Sequence, residues 1–218
     1  MGTVVTVVDY GMGNLLSVCR ALEHAGVEPR LTDDPAAVER AERLVIPGVG
    51  AFADGMRGLE ERGLVEPIRA VSASGRPVLG ICLGLHLLMD ESDEFGRHPG
   101  LGILPGRVVE LPRETNGTPS KVPHIGWTSI HAPAGAEDDP WAGSPLEPVQ
   151  DGVDVYFVHS FVVEPSEPEL TLAEAESDGR RFPAALRRGS IAGTQFHPEK
   201  SGPAGLAIVE AFARNAPS

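Results

Sequence analysis

Short β-branched runs that alternate with helical patterns predict an α/β protein with a mostly parallel central sheet, because strands separated by helices return in the same direction. A second observation adds an antiparallel extension: past the midpoint, strand-like pieces follow one another with little helix between them. In order, the first half reads as a strand at Val4–Val8, a helix from Asn14 to Ala25 closed by Gly26, and strands at Pro29–Thr32, Leu44–Ile46 and Val78–Ile81. The second half reads as strands at Arg107–Leu111, Gly126–Ile130, Val153–Val163, Thr171–Glu176, Pro183–Arg187 and Ile191–Phe196. A final helix runs from about Pro203 to Ala213, with proline suited to its first turn. Pro, Gly and acidic residues crowd 112–120 and 132–152, which are expected to be surface loops. Reactive groups gather where parallel strands end, so Asp9 to Asn14, Gly48 to Gly50 and Cys82 are expected to converge at one edge.

With 218 residues, 41% of them hydrophobic, the chain can bury a full core, and a single domain over 1–218 is expected. Two cysteines give neither a disulfide framework nor metal-ligand spacing, and no metal or cofactor is expected. The start, Thr3 to Asp9, has no basic leader, so a cytoplasmic location is expected. No apolar stretch approaches the roughly 20 residues of a spanning helix. A net charge of −13 argues against nucleic acid or an anionic membrane as partner.

Chemistry concentrates at Cys82, in Gly80-Ile81-Cys82-Leu83-Gly84 directly after the apolar Val78-Leu79. Gly-x-Cys-x-Gly at a strand-to-helix junction is a nucleophile elbow, whose sharpness favours residues without Cβ on either side. The following helix favours the thiolate with its partial positive end, and Leu83 N–H can bond an oxyanion. His197 and Glu199, in Gln195-Phe196-His197-Pro198-Glu199, supply a base and its orienting acid. In an extended His197–Glu199 segment, side chains two apart would project the same way. The plain alternative for Cys82 is a buried core thiol. Cys19 does read that way, since Leu15, Val18, Cys19 and Leu22 repeat at helical spacing.

These two clusters resemble the class I glutamine amidotransferases, which release ammonia from glutamine through a Cys-His-Glu triad. Asp9-Tyr-Gly-Met-Gly-Asn14, Pro47-Gly-Val-Gly50, Pro123-His-Ile-Gly-Trp127 and Tyr156-Phe-Val-His-Ser160 are similar to the glutaminase subunits of imidazole glycerol phosphate synthases. The resemblance implies a flavodoxin-like three-layer fold with Cys82 as nucleophile, His197 as base and Glu199 as its orienter. It implies an oxyanion hole from Val49, Gly50 and Leu83, and glutamine contacts from Glu94, Ser160 and Phe161. It further implies an interface of Asn14, Trp127, Tyr156 and Lys200 with a TIM-barrel cyclase subunit that uses the ammonia in histidine biosynthesis. The cyclase would make imidazole glycerol phosphate and an aminoimidazole carboxamide ribotide.

Each of these side chains also has a plain structural role open to it. Asn14 could cap the first helix, Trp127 and Tyr156 could be partly buried aromatics, Lys200 a solvated lysine, and His159 a hydrogen-bonded structural histidine. The chain departs from the family pattern at His86, where glutamine is usual, on the same helix face as Cys82. An imidazole can acquire charge near pH 6.5, so weaker or pH-dependent glutamine binding is expected. Thr128 and Phe161 stand where Asn and Tyr are commoner. Two other functions stay open: the glutaminase of another synthase, such as that of anthranilate synthesis, and a catalytically silent scaffold.

Overall fold

The computed structural model describes residues 3–115, 118–119, 121–136 and 139–214. Its first half follows the expected alternation: β1 (Val4–Val8), α1 (Leu15–His24), β2 (Glu28–Thr32), α2 (Pro35–Glu39), β3 (Leu44–Gly48), α3 (Phe52–Glu61), α4 (Val65–Ala73), β4 (Val78–Cys82) and α5 (Leu83–Leu88). Then come β5 (Met89–Ser92), β6 (His98–Pro99), β7 (Leu104–Glu110), β8 (Glu114–Thr115), β9 (Thr118–Pro119) and β10 (His124–His131). The chain continues through β11 (Val153–His159), β12 (Phe161–Pro165), β13 (Thr171–Ser177), β14 (Arg180–Arg188), β15 (Ile191–Thr194) and α6 (Gly202–Arg214).

Nine strands form the main sheet in the order β11-β10-β13-β14-β15-β4-β3-β1-β2. From β2 to β15 neighbours run parallel, and from β15 to β11 antiparallel. Alternation along the parallel strands builds a core on each face. Val5, Val7, Val45, Leu79 and Ile81 pack against Val18 and Leu22 of α1 and Val209 and Phe212 of α6. Val8, Leu44, Ile46 and Val78 face the other way, onto Phe52, Leu59, Ile68 and Leu85 of the helices opposite. A third cluster, with Ile130, Phe157, Phe182 and Phe196, underlies the antiparallel half. Cys19 packs against the α1 side of the core, as its helical spacing predicts.

Two expectations need correction. The run Val153–Val163 is two strands in two sheets: β11 pairs with β10, then the chain breaks at Ser160 and β12 joins a second sheet, β12-β7-β5-β6. That second sheet has no local signature, because β5 pairs with β7 in parallel and β7 with β12 across more than fifty residues. The expected loop 112–120 contains the two-residue strands β8 and β9, with residues 116, 117 and 120 outside the described set. Turns occupy most of 132–152, apart from residues 137 and 138, which also lie outside it.

Candidate active site

The turn between β4 and α5 is the sharp feature from which the site is built. Cys82 has φ 53° and ψ −108°, outside the regions ordinary side chains favour, and it is nearly buried at 6% exposure. Such strain persists only where surrounding structure enforces it. Here the enforcement is close packing: a Cβ on Gly80 would lie 2.7 Å from the Gly84 backbone, and one on Gly84 would strike the Ile46 carbonyl of β3. Both glycines are therefore required, as the motif predicts.

The predicted convergence at the sheet edge is present. Gly13, in the loop after β1, packs beside Gly48, and Gly50, with φ 122°, lies against the Met12 methyl. Tyr10 donates its hydroxyl to the Pro47 carbonyl at 2.7 Å beneath this loop, a support the sequence did not single out. Burial first, and Cys82 second, raise the Tyr10 phenol far above its ordinary range, so it remains a neutral donor.

A cavity of about 300 Å³ opens over Cys82. Its lining includes Val49, Gly50 and Leu83, His86 and Glu94, and the segment from Val158 to Phe161. Eight sequence-predicted residues thus meet around one space: Cys82, Val49, Gly50, Leu83, His86, Glu94, Ser160 and Phe161. Phe95 also lines it, and nothing in the acidic run Glu91–Glu94 signalled that ring.

His197 and Glu199 lie next to Cys82. His197 Nδ1 donates to Glu199 Oε1 at 2.8 Å, with both side chains only 2% exposed. The segment is not extended as expected. Pro198 opens a 3-10 turn over Pro198–Lys200, with its fixed φ suited to the first position, and the carboxylate returns to the ring through that turn. Burial alone would lower the His197 pKa, but Cys82 and then Glu199 outweigh it and push it up to about 9. The imidazolium is thus the resting form at neutral pH. Its Nε2 is buried and has no hydrogen-bond partner of ordinary geometry, which leaves it available to the sulfur.

His86 differs from expectation. Its Nε2 lies 2.9 Å from Gln195 Oε1, which can only accept, so the proton sits on Nε2. Burial lowers its pKa to about 4, partly offset by that bond, so the side chain is neutral at physiological pH and does not charge near 6.5. His159 is also held neutral: its Nδ1 donates to the Phe161 carbonyl at 3.0 Å, and burial takes its pKa down to about 3. Burial pushes the Glu94 carboxyl up, opposed by the Phe52 N–H, which Glu94 Oε2 accepts at 2.7 Å.

The four residues assigned to a partner face lie outside the cavity. Asn14 Oδ1 accepts from Ser17 N–H at 3.4 Å, so it does cap α1. Trp127 is 56% exposed and meets Tyr156 edge-on, with ring centroids 6.0 Å apart. Lys200 is exposed at the end of the 3-10 turn.

The glutamine amidotransferase class-I family profile matches residues 6–216. A relative from Legionella pneumophila strain Lens, named imidazole glycerol phosphate synthase subunit HisH 1, is 44% identical over 209 residues, covering 95% of this chain and 97% of its own length. The chain belongs to the class-I glutamine amidotransferases, in the branch of the HisH subunits. A second HisH relative of this amidotransferase, from Syntrophotalea carbinolica, is 48% identical over 212 residues, covering 96% of this chain and 98% of the relative. Among solved structures, the one titled as PurLQS from Thermotoga maritima superimposes on this amidotransferase with a TM-score of 0.70 at 19% identity, covering 97% of this chain and 98% of that one. That likeness supports the flavodoxin-like architecture alone. Among the described residues of the amidotransferase, no helix is long and apolar enough to cross a membrane.

Proposed function

We propose that the chain is the glutaminase subunit of an imidazole glycerol phosphate synthase, acting as one amidotransferase domain in the cytoplasm. The observation that carries this reading is Cys82, held on a strained elbow at the floor of a cavity, with a buried imidazole next to it oriented by a carboxylate at 2.8 Å. The Cys82 thiolate attacks the side-chain amide carbon of glutamine. The oxyanion is held by backbone N–H groups of Leu83 and of the Val49–Gly50 loop, as preorganised dipoles stabilise developing charge. His197, protonated at rest, gives its proton to the departing nitrogen, and ammonia leaves. The same imidazole then takes a proton from water, which cleaves the γ-glutamyl thioester to glutamate and regenerates the thiolate.

Ammonia set free in water would be protonated and lost as a nucleophile, so a shielded exit to an acceptor site is required. We assign that role to the TIM-barrel cyclase subunit, seated on the face that carries Asn14, Trp127, Tyr156 and Lys200. Exposure of Trp127 and its neighbour Ile125, at 56% and 55%, supports a covered surface there. Glutamate production measured with and without a candidate cyclase and its ligand tests the assignment. Low activity alone and a large rise with the liganded partner are expected, and equal activity in both states refutes the coupling. A silent scaffold would form no adduct at Cys82 with the chloroketone analogue of glutamine.

A further inference from the structure

The turn that carries Glu94 holds a residue its geometry does not favour. Gly96 N–H closes the turn on the Asp93 carbonyl at 3.4 Å, and Phe95, in its third position, has φ 53°. That position favours glycine or asparagine, because at positive φ a Cβ crowds the neighbouring carbonyl, and a bulky aromatic there is an outlier. Core packing gives no compensation, since Phe95 is 88% exposed. Its ring meets Phe161 edge-on at 6.0 Å between centroids, and both rings line the cavity over Cys82. A local rule broken without a packing gain marks a functional position.

The neighbouring side chain indicates what the position serves. Glu94 is buried at 8% exposure, faces the same cavity, and belongs to none of the ion pairs among the described residues. Phe52 N–H donates to it and His98 acts on it only from beyond ion-pair distance, so a cationic ligand can complete this buried carboxyl, and an aromatic ring beside it adds attraction for that cation while excluding water. Glutamine brings one cation, its α-ammonium.

We propose that Phe95 is a substrate-contacting residue whose ring, with Phe161, forms an aromatic wall over the α-ammonium of bound glutamine, with Glu94 beside it. The assignment rests on the glutaminase reading above. It makes the pocket select amino acids over analogues lacking the amino group, by a contact separate from the triad.

The test is alkylation of Cys82 in the full chain by the chloroketone analogue of glutamine and by its counterpart without the α-amino group, read as KI and maximal rate. Phe95→Asn suits the turn and removes the ring, so a purely structural role predicts unchanged KI and an equal or higher Tm. The proposal predicts a KI raised about tenfold for the amino-bearing reagent, little change for its counterpart, an unaltered maximal rate, and recovery in Phe95→Tyr. An unchanged KI in Phe95→Asn, including the case in which only partner affinity falls, overturns it. Equal losses for both reagents overturn the ammonium contact. Failure of both reagents to alkylate wild-type Cys82 overturns the glutaminase reading and this proposal with it, whereas alkylation with unaltered KI removes the proposal alone.

Discussion

The interior around Cys82 and the outer face around Trp127 are built on opposite terms. His197 and Glu199 are 2% exposed and locked by a short hydrogen bond, whereas Trp127 and Ile125 leave more than half their surface in water, at 56% and 55%. Chemistry needs preorganised groups away from solvent, and docking needs accessible apolar surface with no partner yet on it. The contrast separates what one chain completes by itself from what it leaves for another to complete.

Substitutions can break this division or sharpen it. Cys82→Ser should cause the largest loss, lowering glutamate release on the order of 10⁴-fold or more and abolishing the chloroketone adduct, as removal of a nucleophile does in comparable triads. Gly50→Ala should come next. A Cβ at φ 122° meets the Met12 methyl and displaces the loop, and loss of an oxyanion donor costs about 10²-fold in kcat. On the outer face, Trp127→Ala should weaken binding of the proposed cyclase about 30-fold, the scale of an exposed aromatic anchor of ~2 kcal/mol, as titrated by the rise in glutaminase activity. His86→Gln should give the smallest change, improving kcat/KM for glutamine by about fivefold, the worth of one neutral hydrogen bond. An unchanged or reduced value counts against a role for His86 in glutamine binding.

Titration separates the interior groups from one another. His197 is raised to about 9 from 6.5, so its contribution to stability is fully present below pH 6.5 and is lost as pH rises through about 9, along with the proton the leaving nitrogen needs. His86 is depressed to about 4, so its contribution is present above 6.5 and lost as pH falls toward 4. Melting curves from pH 4 to 7 should therefore be less steep in pH for His86→Gln than for wild type, while glutamate release, which needs the His197 proton for the departing nitrogen, should keep the same upper limb near pH 9 in both.

What the residues disclosed in advance follows their range of interaction. The parallel half was legible because Val4–Val8 and Val78–Cys82 are buried on both faces, which leaves a continuous apolar run even where a sheet partner such as β15 is distant in the chain. The elbow was legible because its glycines answer to local sterics. Val153–Val163 read as one strand because Ser160 is no breaker, and only distant partners send its two ends to different sheets. His86 read as a titrating group because its partner, Gln195, is 109 positions away, and neither bond nor burial has a local mark. Phe95 was hidden by the acids before it, and its importance lies in a backbone angle that no spacing displays.

The break at Ser160 also limits what the enzyme can be made to accept. His159 belongs to one sheet, Phe161 to the other, and the Ser160 carbonyl between them is tied to Leu111 N–H at 2.9 Å, so this wall is a joint rather than a loop. A bulkier amide cannot be admitted by letting the wall breathe, since that would pry apart two layers of hydrogen-bonded backbone. Enlarged substrate scope must come from trimming side chains such as Phe161, and loop-length engineering at this seam would unzip the scaffold before it widened the door.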